Sequence, residues 1–571
     1  MSVLYFDLNE FGAKPNSGED AQPTATRLVE ALNRLDSARP VTVRLHPGRY
    51  DFYPEHGFPW RGGLSNHSPG IAGPVAFLLQ KRTGFTLEGN GAELRFHGLC
   101  FPFALQQVEG CRLGDFTIDF EERGPLQLRI DEIAADYQSL TVTPESGVAV
   151  LLRNGSLLSG GRHLPEAPFI SFMTFEPNGR LAYRIDDRPF RPERVELLPD
   201  SRLRLTMPAD ELRIGQFLVL RPTARPNPAL LFDRCRNVLL ENVTLHYSPG
   251  IGVLAQASEN LRLCNLQVCR RADGAERIST LHADATHFSG CKGVIAVESC
   301  RFEGMADDGI NVHGTYLKVE NAGRTGNSLC CRFAHEASSG FFWGEPGDRI
   351  AFLDTRTMRY LSGEYTIRQL RPIPGKDGLP QAFQLECEEP LPELPPHCGV
   401  ENLTWTPEVE FQNNRVGNNR ARGALFSTPR RILCEGNCFD HPHGAAILIS
   451  GDCNGWFESG ACHDVTIRNN RFDNPLTAVY EFCRAVITIE PVIPELEAGN
   501  FYHSNIQIID NEFRYFDRPL LWATSVNGLT FRNNRIIRNR EYLSFHPNQR
   551  EIDCVACRNV KCDIESRQNQ L

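Results

Sequence analysis

The chain has 571 residues, a net charge of −10 and 41% hydrophobic side chains. That is too long for one ordinary core, so several domains or one elongated repeat are expected. The acidic balance excludes the basic face of a nucleic-acid binder, and no apolar run approaches bilayer-spanning length, so no membrane span is expected.

No charged-then-apolar leader opens the chain. The reading is a soluble protein, either cytoplasmic or with its targeting segment already removed. Nineteen cysteines are scattered along it, and Cys554-x-x-Cys557 lacks a second pair or a His pair to complete a zinc site. Most are expected to be small buried packing residues, with disulfides left open.

In chain order, Ala25, Leu28, Val29, Leu32 and Leu35 follow helical spacing. They predict a short amphipathic helix closing the end of whatever repeat follows, whose first unit otherwise exposes apolar surface. Residues 1–120 are therefore read as this cap and the first repeat units. Between 121 and 230, strand-like runs such as Leu126–Ile130 alternate with Gly and Pro turns and show no regular period.

From 231 onward a pattern recurs: a short alternating apolar run, an Asn, then another run. Val238 to Leu245 is followed by Leu261 to Val268, and later by Val409 to Val416, Ile432 to Phe439, Val465 to Phe472, Ile506 to Phe513 and Leu529 to Ile536. Aligned asparagines at 242 and 265, 414 and 437, and 511 and 534 lie 23 residues apart. A period of that length built from strands and turns predicts a parallel β-helix. An Asn there tolerates a left-handed bend and can bond the Asn stacked on it. The period is broken again between 316 and 408. Ile214 to Leu220 in the first break is echoed by Pro346 to Leu353 in the second, so the two are read as related inserted β-barrels. The coils of 231–315 and 409–571 then frame the second insertion.

The residues that carry chemistry lie just before that insertion. Asp307-Asp308-Gly309-Ile310-Asn311-Val312-His313 sets two carboxylates side by side at the start of a β-type run, and Asp284 in His282-Ala283-Asp284-Ala285-Thr286 lies 23 residues upstream. Alternation points Ile310 and Val312 inward and Asn311, His313 and Asp307 outward. By the same rule Ala283 and Ala285 face in, while His282, Asp284 and Thr286 face out. Coils stack at roughly 4.8 Å, so Asp284 should neighbour Asp307. Crowded carboxylates raise the proton affinity of one of their number, and a protonated acid beside carboxylate bases suits glycosidic bond hydrolysis. The competing reading is a cation site, since acidic clusters also bind calcium.

A second cluster, Asp452-Cys453-Asn454-Gly455-Trp456-Phe457-Glu458, follows Arg420-Ala421-Arg422. A Trp beside Asn and Glu suits sugar binding, the ring covering C–H faces and the polar groups taking hydroxyls. Arg422, Asn454, Trp456 and Glu458 are therefore candidate substrate-binding residues, with His282, Asn311 and His313. A Trp plugging the coil wall is the structural alternative.

Both acidic motifs, with Trp456-Phe457-Glu458-Ser459-Gly460 and Trp405-Thr406-Pro407-Glu408, resemble glycoside hydrolase family 110 over most of the chain. Departures are small, at Ala283 and Gly309. The resemblance implies an all-β fold: a right-handed parallel β-helix with two inserted β-barrels and the N-terminal capping helix. It implies an exo-acting α-1,3-galactosidase that inverts configuration and needs neither metal nor cofactor. Its substrate would be a galactose-terminated oligosaccharide or glycoconjugate such as the blood group B antigen. Asp307 would be the general acid, and Asp284 and Asp308 would position water. A homodimer is compatible with it. The family acts outside the cytoplasm, which implies a secreted or periplasmic protein if a leader has been removed. The motifs do not separate fucosylated from linear substrates. A polygalacturonase-like hydrolase or a non-catalytic glycan-binding β-helix remain the alternatives.

Overall fold

The computed structural model describes all residues except 1, 68, 122–125, 145–149, 162–163, 185–187, 223–224, 273–276, 480–482, 565–566 and 570–571. Its body is a stack of coils with three parallel β-faces. One face runs through Leu230–Asp233, Val253–Gln256, Thr286–Ser289, Ile310–Thr315, Ala424–Phe426, Ile447–Ile449, Ile487–Ile489 and Leu521–Thr524, each paired in parallel with the next. Every second residue of these strands points into one continuous core: Val253, Ala255, Phe288, Ile310, Val312, Phe426, Ile447 and Ile489 are all fully buried there. Parallel strands joined by short corners, with Val, Ile, Leu and Phe inside, are what the recurring apolar runs require.

The asparagines divide their work differently along the stack. In the early coils Asn242 and Asn265 both take the left-handed corner, with φ near 52°, and bond one another at 2.9 Å. In the later coils the two jobs fall on adjacent residues. Asn413, Asn469, Asp510 and Asn533 adopt positive φ, while Asn414, Asn437, Asn470, Asn511 and Asn534 turn inward. These form a buried ladder with Nδ2–Oδ1 distances of 2.9–3.0 Å. Inside it, Phe439, Phe472 and Phe513 stack at 5.3 and 4.7 Å.

Gln22–Asn33 is the one α-helix among the described residues, and it lays Ala25, Leu28, Val29 and Leu32 on the first coil. Leu35 lies beyond its end and packs beside them. Among the described residues no helix is long and apolar enough to cross a membrane, and all nineteen cysteines are free thiols.

Three additions cover the face just described. The first insertion spans Gln127–Ile133 to Phe217–Pro222, an antiparallel sheet curled round its own apolar cluster. Its edge strand Arg194–Leu197 returns to within 8 Å, Cα to Cα, of Ser156–Gly161. The second insertion, Leu317–Thr325 to Cys398–Asn402, closes completely, because Arg349–Asp354 pairs with both Tyr365–Pro374 and Cys398–Asn402. The third was not expected from the sequence. Phe58–Gly62 folds back antiparallel on Ile71–Val75, and this hairpin packs Trp60 and Leu64 over Ala104, Leu231, Leu254 and Ala283. Gly63 of its tip sits so close to Ser339 and Gly340 of the second insertion that a Cβ would meet backbone at 2.3 Å.

The local register also differs from the uniform repeat. Thr286 pairs with Ile310, so the step is one residue longer than the asparagine spacing. Asp284 therefore lies level with Asp308 rather than Asp307. Thr286 points inward, level with Val253, and donates to the Gly309 carbonyl at 3.1 Å. Ala283 packs under the hairpin, outside the coil core. Phe288, the bulky apolar residue of that strand, sets the alternation that the two small alanines could not.

Candidate active site

Asp284 and Asp308 sit at the corners that lead into Thr286–Ser289 and Ile310–Thr315. Their carbonyls accept the ladder bonds from Gly252 and Ala285 at 2.9 Å, and the Asp308 N–H donates to Asp284 Oδ1 at 3.2 Å. Asp307 precedes Asp308 at the bend. One oxygen from each of the three carboxyls lies within 4.8 Å of the others, as the argument from stacked coils requires. None is open to solvent, however. Asp284 and Asp308 are 1% exposed and Asp307 only 9%, because the additions roof an outer face that alternation alone would leave wet.

Guanidinium groups compensate the crowding. Arg225, from the segment after the first insertion, donates to Asp307 Oδ2 at 2.5 Å and to Asn66 Oδ1 of the hairpin loop at 2.9 Å. Arg422, on the next coil, donates its N–H to Asp308 Oδ1 and its side chain to Oδ2, both at 2.8 Å. Asn419 ties Arg422 to Asp307 through their carbonyls. Burial raises the proton affinity of all three acids, with different net results. For Asp307, Arg225, Arg420, Arg422 and Arg221 overcome burial and hold it well below the usual carboxylate range. For Asp284, burial and then the charge of Asp307 push it up to about 8. Asp308 is also raised by burial, against the pull of Arg422. A cation could bridge oxygens at this spacing, but Asp307 and Asp308 each already engage a guanidinium.

The histidines form a chain behind Asp284. His287 Nδ1 lies 2.7 Å from Asp284 Oδ2, His287 Nε2 lies 2.9 Å from His313 Nε2, and His313 Nδ1 lies 2.6 Å from the Gly314 carbonyl. His313 is thus part of the site's support rather than its lining, with Glu458 at 3.5 Å. His282 faces the Pro222 carbonyl at 3.4 Å, away from the cavity. Burial holds it and His287 neutral, each down at about 3.

Above the carboxyls is a cavity of about 170 Å³. Asn311 lines it, its Oδ1 buried without a partner among the described residues. Asp452 organises the far wall, accepting from the backbones of Asn454, Gly455 and Trp456 at 2.6–2.8 Å. That turn presents Trp456 and Glu458 to the cavity, opposite Leu425 and Leu448. Trp456 is 42% exposed and lies 4.5 Å from the His335 ring of the second insertion; it does not plug the wall. Asn454 turns away and donates to the Thr355 carbonyl at 2.8 Å, so it fastens the loop and does not line the cavity.

Of the candidates from sequence, the structure brings Asp284, Asp307, Asp308, Asn311, Arg422, Trp456 and Glu458 to the cavity, and leaves His282, His313 and Asn454 off it. Sequence reasoning missed His287, which counting from Phe288 would have turned outward. It also missed Asn66, Arg221 and Arg225, which arrive through the hairpin and the first insertion and carry no local signal.

No protein-family model matches the chain. It is 38% identical over 571 residues to "Alpha-1,3-galactosidase B" of Phocaeicola vulgatus, covering 98% of this chain and 94% of that protein. It is 37% identical to the same-named protein of Bacteroides fragilis, covering 97% and 95%. "Alpha-1,3-galactosidase A" of that organism is 31% identical, covering 94% and 87%. Among solved structures, a family 28 exopolygalacturonase of Yersinia enterocolitica aligns with 98% of this chain and 78% of its own, at 10% identity and a TM-score of 0.41, too distant to inform the site. Identity at this level over almost the whole of both chains places this protein in the α-1,3-galactosidase family, glycoside hydrolase family 110.

Proposed function

We propose that the chain is an exo-acting glycoside hydrolase that removes terminal α-1,3-linked galactose by an inverting acid/base mechanism. The observation that carries this is the trio Asp284, Asp307 and Asp308 on the floor of one cavity, with proton affinities driven apart by burial and by Arg225. A room of about 170 Å³ suits one sugar ring at a chain end better than a polymer running through. Trp456 and the apolar patch of Leu425 and Leu448 offer a surface for C–H faces, and Asn311, Asn66 and Glu458 offer partners for hydroxyls.

Asp307 has the most solvent access of the three and acts as the general acid towards the leaving oxygen. Asp284 and Asp308 hold the attacking water. Arg225 must leave Asp307 for this, and the hydroxyls of a bound galactose give it a substitute partner. No metal takes part, since two guanidiniums already supply the positive charge at the carboxyls; activity unchanged by a chelator is the expected result. Incubation with a B-type trisaccharide and with a linear α-1,3-galactoside, followed by NMR, tests bond, sugar and stereochemistry together. Release of β-galactose first is expected. α-Galactose as first product would mean retention and would overturn the stereochemical part.

A uronide hydrolase is the second reading, favoured by four arginines, Arg221, Arg225, Arg420 and Arg422, around the cavity. They share it with five carboxyls, including Asp452 and Glu458, and Arg225 and Arg422 are already engaged by Asp307 and Asp308. Cleavage of polygalacturonate with none of neutral galactosides would favour that reading instead.

A further inference from the structure

The chain from Asp284 to the Gly314 carbonyl has three contacts, at 2.7, 2.9 and 2.6 Å, and each needs a proton. A carbonyl cannot donate, so His313 carries a proton on Nδ1. One of the facing Nε2 atoms carries the second, and the third lies between His287 and Asp284. Two neutral imidazoles and an ionised carboxylate hold only two. The hydrogen bonds therefore assign one proton beyond that complement to Asp284, His287 and His313.

We propose that this chain stores the catalytic proton and resets the site between turnovers by transfer from Asp284 to Asp307 through one intervening water, their oxygens lying within 4.8 Å, with His287 and His313 as positioning residues. The inference rests on the hydrolytic reading above. In an inverting turnover the acid gives its proton to the leaving oxygen and the base takes one from water. With Asp307 as acid and Asp284 as base, the turnover ends with Asp307 ionised and Asp284 protonated, which is the arrangement the hydrogen bonds describe. When the next galactoside draws Arg225 off Asp307, the O–H bond of Asp284 breaks, its proton passes to a water between the two carboxyls, and that water gives one of its own protons to an Asp307 oxygen. Asp284 becomes a carboxylate, Asp307 a carboxylic acid, and net charge is unchanged. The vacated contact at His287 Nε2 or Nδ1 is met by a tautomer shift, for which the Ser65 hydroxyl, 3.3 Å from Nε2, is a ready partner.

The groups facing Asp284 and His287 from the surrounding elements are Asp307, Asp308, Arg225, Arg422, Glu458 and His67. The carboxylates among them favour keeping the proton and the guanidiniums oppose it. His287 down at about 3 and Asp284 up at about 8 agree with a proton residing on the carboxyl side of the link.

Two measurements test this on the full chain. The first is the pH profile of kcat/KM on the B-type trisaccharide for the parent, His287→Gln and His313→Gln. The amide introduced by His287→Gln can donate to Asp284 but cannot accept and donate through a ring, so the alkaline limb should move down by about one pH unit or more, less for His313→Gln. Limbs that coincide with the parent's, at whatever rate, would overturn the proposal. The second is nitrogen NMR of the histidines without ligand near pH 7, where His287 should be neutral with its proton on Nε2. A neutral His287 protonated on Nδ1 would overturn the reservoir whether or not the protein cleaves galactosides. Failure to release galactose with the expected tautomer present would instead overturn the hydrolytic reading.

Discussion

The asparagine ladder and the carboxylate corner are both stacks of polar side chains on successive coils, and they are satisfied in opposite ways. Asn437 accepts from the N–H and Nδ2 of Asn414 and donates to Asn470 and to the Phe411 carbonyl. An amide carries donors and an acceptor, so one residue type repeated along the stack completes itself. Ionised carboxylates carry acceptors and charge alone, so Asp284, Asp307 and Asp308 cannot complete one another. Their stacking is tolerable because Arg225 and Arg422 reach Asp307 and Asp308 from other elements and a proton stays on Asp284 beside His287. Repetition stabilises the first stack, whereas the second depends on groups imported to offset it.

The largest effect expected from testing this contrast is on activity. Asp307→Asn should lower galactose release by about 10²–10⁴-fold in a protein that still folds but melts below the parent near neutral pH, since Arg225 loses its carboxylate partner. A variant within tenfold of the parent would remove Asp307 from the reaction.

On stability Asn437 and Asp284 should respond with opposite signs. Asn437→Ala should destabilise by about 2–3 kcal/mol, because it strands buried groups on Asn414 and Phe411, while activity per folded molecule is retained. Thermal or denaturant unfolding checks this, and a shift under about 0.5 kcal/mol would mean that the ladder ornaments the coils without holding them.

Asp284→Asn should do the reverse at alkaline pH. The folded carboxyl has its proton affinity raised, to about 8, above the unfolded value near 3.9. Its favourable contribution is therefore complete below the unfolded value and is lost as pH rises through the folded one. A neutral amide escapes that loss, so the variant should melt above the parent at pH 8–9, and by less at pH 5, while being inactive. A parent whose melting temperature does not fall relative to the variant across that window would contradict a protonated Asp284.

The smallest effect is at Trp456. Replacing it with Ala should raise KM by about tenfold, the worth of one aromatic contact, with kcat within twofold. An equal fall in kcat would give the ring a role in the transition state.

Coils, insertions and acids were legible for different reasons. Alternation within Val465 to Phe472 or Leu529 to Ile536 reports a half-buried strand directly, and the Asn repeat reports their stacking. The acids stood out because Asp307 and Asp308 adjoin one another in a β-type run. His287 was missed, although it directly follows the motif of Asp284, because Ala283 and Ala285 are small enough to face either way. The 23-residue spacing led to Asp307 as the partner of Asp284, since nothing in a local pattern shows a coil that is one residue longer.

Strand and turn periodicity, and with it the inward row of Ile310, Val312 and Phe288, is a property of neighbouring residues, so the order of residues alone determined the solenoid and the clustering of its acids. The roof over them depends on contacts between segments far apart in the chain: Arg225 with Asp307, Asn66 with Arg225, Gly63 against Gly340. Only the folded chain could decide that an outer face is dry, and dryness is what raises Asp284 and gives the guanidiniums their leverage on Asp307.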